Sequence, residues 1–248
     1  MTAPERAPLG ATLALLIAVV SMTGSLSPML MAASIALFSL VLGLAWPALL
    51  ELPSPVGTRV VVAGTGILGA LVAVLAPERL SPVSGVVMVC AAGVFASFLH
   101  QMLRRERRHL TESLTGTVAG AFVSGISASW VIAQSAATGG DSAGLITAIA
   151  AGLGVTLLLN TSPLPGPVRL ALAILAGSAV TAWLLISLFA VAPMVAAGVA
   201  LVTAIGAGCA HLLAGSPLVA KEPVPSLAVG VVPVATVGVV AHLAVLLI

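Results

Sequence analysis

Residues 28–50, PMLMAASIALFSLVLGLAWPALL, contain no charged side chain. A helix of about 20 such residues is long enough to cross the hydrocarbon layer of a bilayer. The rest of the chain continues this pattern, because charged residues make up 6% of the 248 residues and hydrophobic residues 60%. A soluble domain of this size needs a more polar surface. The sequence therefore predicts an all-α fold, a polytopic integral membrane helical bundle.

Polar breaks divide the chain into nine apolar segments. Proline, glycine and charged residues mark these breaks, and each segment should be helical because a backbone in lipid must satisfy its own hydrogen bonds. The first segment is short and follows the lone Arg6, so a cleaved signal peptide is its alternative interpretation. The predicted transmembrane spans are 9–25, 28–50, 60–76, 82–103, 113–136, 143–159, 168–189, 193–214 and 227–248.

The basic residues predict a cytoplasmic N-terminus. With nine spans and the N-terminus inside, eight of the nine Lys and Arg residues lie on the inner side and only Arg79 lies outside. Such an excess is the usual positive-inside bias of membrane proteins, and it places Ile248 outside. Arginine is far commoner than lysine and tyrosine is absent, which favours a GC-rich genome. We therefore expect a multi-pass protein of a bacterial plasma membrane.

Landmark residues recur about 110 positions apart along the chain. This spacing predicts a single transmembrane domain over 1–248 with repeat 1 at 9–103, a parallel repeat 2 at 113–214 and an extra helix at 227–248. Parallel repeats occur in transporters, with binding sites between the repeats. Chance similarity between spans rich in Ala, Val, Leu and Gly is the alternative. The matched landmarks are Pro55 and Pro165, Arg59 and Arg169, Pro82 and Pro193, His100 and His211, and Ser113 and Ser226.

The fifth span carries a ridge of small residues and a stripe of polar ones. The ridge predicts close packing against other helices; its members are Gly116, Gly120, Ser124 and Ala128. The stripe lies on one helical face and either stabilises helix packing or lines a water-filled or substrate-lined cavity. Gln134 is its most informative member, because one backbone carbonyl cannot satisfy an amide side chain. The other members are Ser113, Thr117, Ser124 and Ser127.

Three polar residues lie one turn from the predicted cytoplasmic end of their spans: His100 and Gln101 in the fourth, and His211 in the eighth. Ionisable groups at membrane depth often mark a substrate or proton pathway, although a His this close to the interface can also simply reach water. If the duplication is real, we expect His100 and His211 to face one cytoplasmic vestibule. Together with Ser124, Ser127 and Gln134, these residues are the candidate substrate site.

The loop at 104–109, sequence RRERRH, holds the main charge cluster. It fixes topology and is expected to attract anionic lipid headgroups; a specific phosphate site is the alternative. Because no aromatic residues are interleaved with the arginines, we expect no nucleic-acid partner. The basic members of the cluster are Arg104, Arg105, Arg107 and Arg108.

Other motifs indicate packing rather than chemistry. The G-x-G-x-x-G at 64–69 lies inside a span, so it predicts close helix contact and not a dinucleotide site. Cys90 and Cys209 also lie inside spans and fit as small packing residues. Pro233 is expected to kink the ninth span. The sequence offers no catalytic residues and no metal or cofactor motif.

Three functions remain from the sequence alone. The first is a permease-like transporter of a small or amphiphilic molecule, including a lipid. The second is a non-catalytic subunit or scaffold of a membrane complex, for which a homo-oligomer or another membrane protein would be the partner. The third is a membrane enzyme acting on a lipid headgroup, which the lack of a nucleophile–base or metal constellation disfavours.

Overall fold

The computed structural model describes residues 7–75, 81–104, 109–137, 143–214 and 224–247, and helices joined by short turns make up these ranges. A single 3-10 turn at Gly24–Leu26 joins the first two helices. The helices are α1 Ala7–Ser21, α2 Ser27–Leu49, α3 Pro55–Leu75, α4 Pro82–Leu103, α5 Leu110–Ile126, α6 Ser129–Ala137, α7 Ala143–Leu159, α8 Gly166–Phe189, α9 Pro193–Ala214 and α10 Pro225–Leu247.

The apolar character of the helices confirms a multi-pass membrane bundle. Within the described ranges, seven helical segments are long and apolar enough to cross a membrane, with α5 and α6 together forming one of them. The shorter apolar helices Leu9–Ser21 and Gly144–Leu159 lie in α1 and α7. Proline at the first turn begins α4 and α8, a position where its fixed backbone angle suits the helix and no hydrogen bond is lost.

The fifth span differs from the single helix that the sequence predicts. It is broken at Ser127 and Ala128, so α5 and α6 are separate helices. The amides of Ala128 and Trp130 bond to carbonyls three residues back, at Gly125 and Ser127, rather than four residues back. A run of Gly, Ile, Ser, Ala and Ser has weak helix propensity, and the tertiary contacts described below decide its path.

Buried small residues hold α5 in the centre of the bundle, as the small-residue ridge predicts. The span 110–137 is the most buried of the seven long apolar segments. A Cβ on Gly120 would lie 2.5 Å from Trp46 Nε1 and 2.7 Å from Val62 Cγ2. Trp46 of α2 can approach only because Gly120 lacks a side chain, and its Nε1 then donates to Gly116 O over 2.8 Å.

The helices form two neighbouring groups. In the first, α2 packs along α3, and α3 packs against α4 and α5. In the second, α7 packs along α8, and α8 packs against α9. Helix α1 packs mainly along α7 of the second group, while α10 joins the two groups through contacts with α9, α2 and α6.

Candidate functional site

A cavity of about 460 Å³ lies at one end of the bundle, which we call the cavity end. It is bounded by the last residues of α1, α6 and α8 and the first residues of α2 and α7. Its volume falls within the range of about 300–1,000 Å³ that is typical of small-molecule pockets. The lining residues are Ser21, Met22, Gly24, Ser27, Gln134, Gly144, Thr147, Ala148, Leu184, Leu188 and Phe189.

Gln134 organises the polar side of this cavity. Its Nε2 donates to Ser27 Oγ over 2.8 Å and to the Ser21 carbonyl over 3.3 Å. Gln134, Ser21 and Ser27 are all at least 95% buried. The amide thus ties α6 to the end of α1 and the start of α2.

A hydroxyl pair continues the polar side onto α7. Ser21 Oγ and Thr147 Oγ1 lie 2.6 Å apart, and Ser21 Oγ also donates to the Ala18 carbonyl over 2.7 Å. The polar groups of the cavity therefore form a row from α2 through α6 and α1 to α7.

The opposite side of the cavity is apolar and exposed. Leu188 of α8 and Met22 after α1 are 62% and 74% exposed. Phe189 packs on Gly144, where its ring occupies the space that a Cβ would fill. Helix α7, whose first residues line the cavity, packs against both α1 and α8. An apolar chain could lie along α8 while a polar group reaches the hydroxyls.

The break in the fifth span lies deeper in the bundle and does not line the cavity. Ser127 Oγ donates to the Ser124 carbonyl, so a side chain satisfies one acceptor at the break. Trp130 follows immediately, is fully buried, and donates from Nε1 to the Val234 carbonyl of α10 over 2.7 Å. Its ring packs on Gly238, where a Cβ would lie 2.6 Å from Trp130 Cδ1. Trp130 thus anchors α6 to α10.

Ser124 contributes to packing between three helices. Its Oγ and that of Ser39 both occupy the space a Cβ on Gly66 would take, which joins α2, α3 and α5. Ser124 is fully buried, and its Oγ has no hydrogen-bond partner among the described residues. The G-x-G-x-x-G stretch therefore does support close packing at Gly66, although a Cβ on Gly64 would meet open space.

Gln101 and Arg104 lie at the opposite end of the bundle, which we call the Arg104 end. Gln101 donates to Ser113 Oγ and accepts from Arg104, in both cases over 2.8 Å. Thr58 and Thr117 form a further hydroxyl pair nearby, 2.8 Å apart. These contacts stabilise the packing of α4 and α3 on α5. The remaining predicted loop residues, Arg105, Arg107 and Arg108, lie outside the described residues.

The two histidines do not come together in one described cluster. His100 bonds through Nε2 to Ser54 Oγ over 2.9 Å and packs on Gly57, at the start of α3. His211 instead lies within electrostatic range of Arg169, at the start of α8. Helix α4 packs mainly on α3 and α5, and α9 mainly on α8 and α10. The described partners of His100 and His211 thus lie on different helices, and their common vestibule stays a prediction from the sequence.

Of the candidate site residues, the structure brings only Gln134 into the cavity. Sequence reasoning missed its partners Ser21, Ser27 and Thr147, whose signal was their position at the ends of apolar spans. Pro233 is buried within α10, which continues through it as one helix. Cys90 is buried and Cys209 exposed, and both are free thiols.

The fold and the cavity define a multi-pass helical membrane protein with a pocket at one end of its bundle. Among the described residues, no group of three or more His, Cys, Asp or Glu could hold a metal ion. Comparisons of the chain with protein-family models, with curated proteins and with solved structures find no match.

Proposed function

We propose that this protein is a permease-like transporter of an amphiphilic molecule, and that the cavity is its binding site. One observation carries the proposal: a row of buried and half-buried polar side chains lines the same cavity as the exposed apolar residues Met22 and Leu188. In the proposed arrangement this apolar side opens toward the lipid. Pockets that bind small molecules combine an apolar lining with a few convergent polar groups. A scaffold has no need for such a pocket.

The proposal includes the topology. In this topology α1 and α7 also cross the membrane, and α5 and α6 together make one crossing. The chain then crosses nine times, and successive segments run in opposite directions between the two ends of the bundle. The positive-inside bias then places the Arg104 end in the cytoplasm. The cavity opens on the outer side of a plasma membrane in this arrangement, and Arg104 faces anionic headgroups of the inner leaflet.

The internal duplication predicted from the sequence fits a transport role. Buried positions recur at the expected offsets: Gly66 and Gly177 are both buried, as are Gly93 and Ala204. The packing of α2 along α3 has its counterpart in that of α7 along α8. In this scheme the cavity lies between the two repeats, where transporters place their substrates.

The broken fifth span supplies a hinge for the proposed cycle. Discontinuous helices are common where transporters bind their substrates. Here α6 is tied to α10 through Trp130 and to the cavity through Gln134. Rotation at Ser127 and Ala128 would therefore move the polar row relative to α5, which stays packed on α2 and α3.

Cysteine accessibility tests this proposal. Thr147→Cys is introduced where Cys90 and Cys209 are replaced by Ala, and a membrane-impermeant maleimide is applied to right-side-out and to inverted vesicles. A transporter should expose the cavity alternately, so labelling is expected from both sides. Met22→Cys, on the exposed rim, is the matched control and should react from one side only. Labelling of Thr147→Cys from a single side under all conditions would contradict the proposal.

A second candidate, a subunit of a larger membrane assembly, has one observation in its favour. Gly198 and Gly206 of α9 have open space where a Cβ would lie, and small residues allow close helix approach. This face would then contact another copy or another membrane protein. Cross-linking through the native Cys209, which is exposed on α9, would detect such an assembly.

A further inference from the structure

We infer that the ligand of this cavity is an uncharged amphiphile whose head group carries hydroxyl groups, as in a glycosyl lipid. This inference rests on the proposed function and adds the chemical class of the substrate. It follows from the direction of the hydrogen bonds around the cavity, from the absence of charge in its described lining, and from the lateral apolar wall.

The Ser21–Thr147 pair offers an acceptor to the cavity. A hydroxyl has one proton to donate and two lone pairs. Ser21 donates its proton to the Ala18 carbonyl, so in the 2.6 Å contact with Thr147 it must accept. Thr147 then uses its only proton on Ser21. Its Oγ1 keeps lone pairs that can accept a further bond, and Thr147 lines the cavity and is half-buried.

Ser27 offers a donor to the same cavity. Its Oγ accepts from Gln134 Nε2 over 2.8 Å. No bond from the Ser27 proton to another acceptor is found in the part of the chain that the structure describes. The proton can therefore be donated to a ligand. Ser27 and Thr147 thus present one donor and one acceptor across the cavity, which suits a group that both donates and accepts, and hydroxyls do so.

The lining disfavours a charged head group. Its described members comprise hydroxyl, amide and apolar side chains, with no ionisable group among them. An anion or cation would lose hydration without gaining an opposite charge, which is costly at membrane depth. A neutral polyhydroxylated head loses less and can replace its water contacts with Ser27 and Thr147. Its hydrocarbon tail would lie along Leu184 and Leu188 at the lateral opening.

The test compares head groups on one tail. The wild-type protein in nanodiscs is titrated with decyl glucoside, decyl phosphate and decyltrimethylammonium, with binding followed by isothermal calorimetry against empty nanodiscs. We expect decyl glucoside to bind at least about tenfold more tightly than either charged probe, since an unpaired buried charge costs more than an unmade hydrogen bond. Equal or tighter binding of a charged probe would overturn the inference. This comparison needs no variant and so cannot fail through misfolding.

Matched variants locate the site. Ser27→Ala and Thr147→Val should each weaken decyl glucoside binding about fivefold to tenfold, as expected for one lost hydrogen bond. Ser34→Ala and Thr156→Val are controls on the same two helices, where the hydroxyls bond only to their own helix backbone. These controls should bind as wild type does. If all four variants bind equally well, the ligand does not use this cavity and the inference fails.

The outcome separates this inference from the proposed function. Tight binding of decyl phosphate together with two-sided labelling of Thr147→Cys would reject the hydroxyl-bearing ligand class but support a transporter of a different class of ligand. Failure of all three probes with two-sided labelling would likewise reject only the hydroxyl-bearing class. Absence of both binding and two-sided labelling would reject the inference and the transporter together.

Discussion

Replacing Gly120 by alanine should destabilise the bundle far more than its small size implies. The new Cβ would lie 2.5 Å from Trp46 Nε1, 2.6 Å from Trp46 Cδ1 and 2.7 Å from Val62 Cγ2. The indole must move, and it then loses its bond to the Gly116 carbonyl. Overpacking costs about 1–3 kcal/mol and a hydrogen bond between membrane helices about 0.6–2 kcal/mol. Together these give a loss of about 2–4 kcal/mol.

Unfolding of the purified protein in mixed micelles by increasing sodium dodecyl sulfate measures this loss. Gly64→Ala is the matched control, because nothing lies within 4 Å of its new Cβ, and it should change the free energy of unfolding by under about 0.5 kcal/mol. Trp46→Phe in the Gly120→Ala background should recover part of the loss, since the smaller ring relieves the contact. Equal stability of Gly120→Ala and Gly64→Ala would contradict the prediction that a Cβ at position 120 displaces Trp46.

Three further predictions concern other parts of the bundle. Gly152→Ala places a Cβ against the Thr181 hydroxyl and 2.8 Å from the Gly177 carbonyl, so it should lower the free energy of unfolding by about 2–3 kcal/mol, measured in the same micelles. Trp130→Phe removes the bond to α10 and should lower the free energy of unfolding by about 1–2 kcal/mol. An unchanged unfolding midpoint would show that this bond does not anchor α6. Reporter fusions after Arg108 and after Ile248 should report opposite sides of the membrane, and same-side activity would contradict nine crossings.

The sequence predicts the fold well because lipid leaves few alternatives for the backbone. The spans at 82–103, 143–159 and 193–214 agree with α4, α7 and α9 at both ends, since proline or polar breaks bound each run of apolar residues. The burial of Gly116, Gly120 and Ser124 was also predictable, because small residues that recur every four positions form one helical face on which another helix can pack closely.

The helix break and the cavity could not be predicted from local sequence. The break at Ser127 and Ala128 is followed by Trp130, which bonds to the Val234 carbonyl 104 positions away along the chain. The polar row likewise joins Gln134 to Ser27 across 107 positions. The polar stripe on the fifth span predicted Gln134 as a site residue, but such a pattern cannot reveal its partners on other helices. The nine crossings and the cytoplasmic N-terminus stay predictions from charge.

The proposed transport function requires the cavity end to open and close around a ligand. Spin labels at Met22→Cys and Leu188→Cys, which lie on different helical segments of the apolar side and are both well exposed, allow the distance between the end of α1 and α8 to be measured by double electron–electron resonance in nanodiscs. Cys90 and Cys209 are replaced by Ala in this background. We expect two distance populations whose ratio shifts when decyl glucoside is added. One narrow distribution that no added amphiphile changes would contradict it.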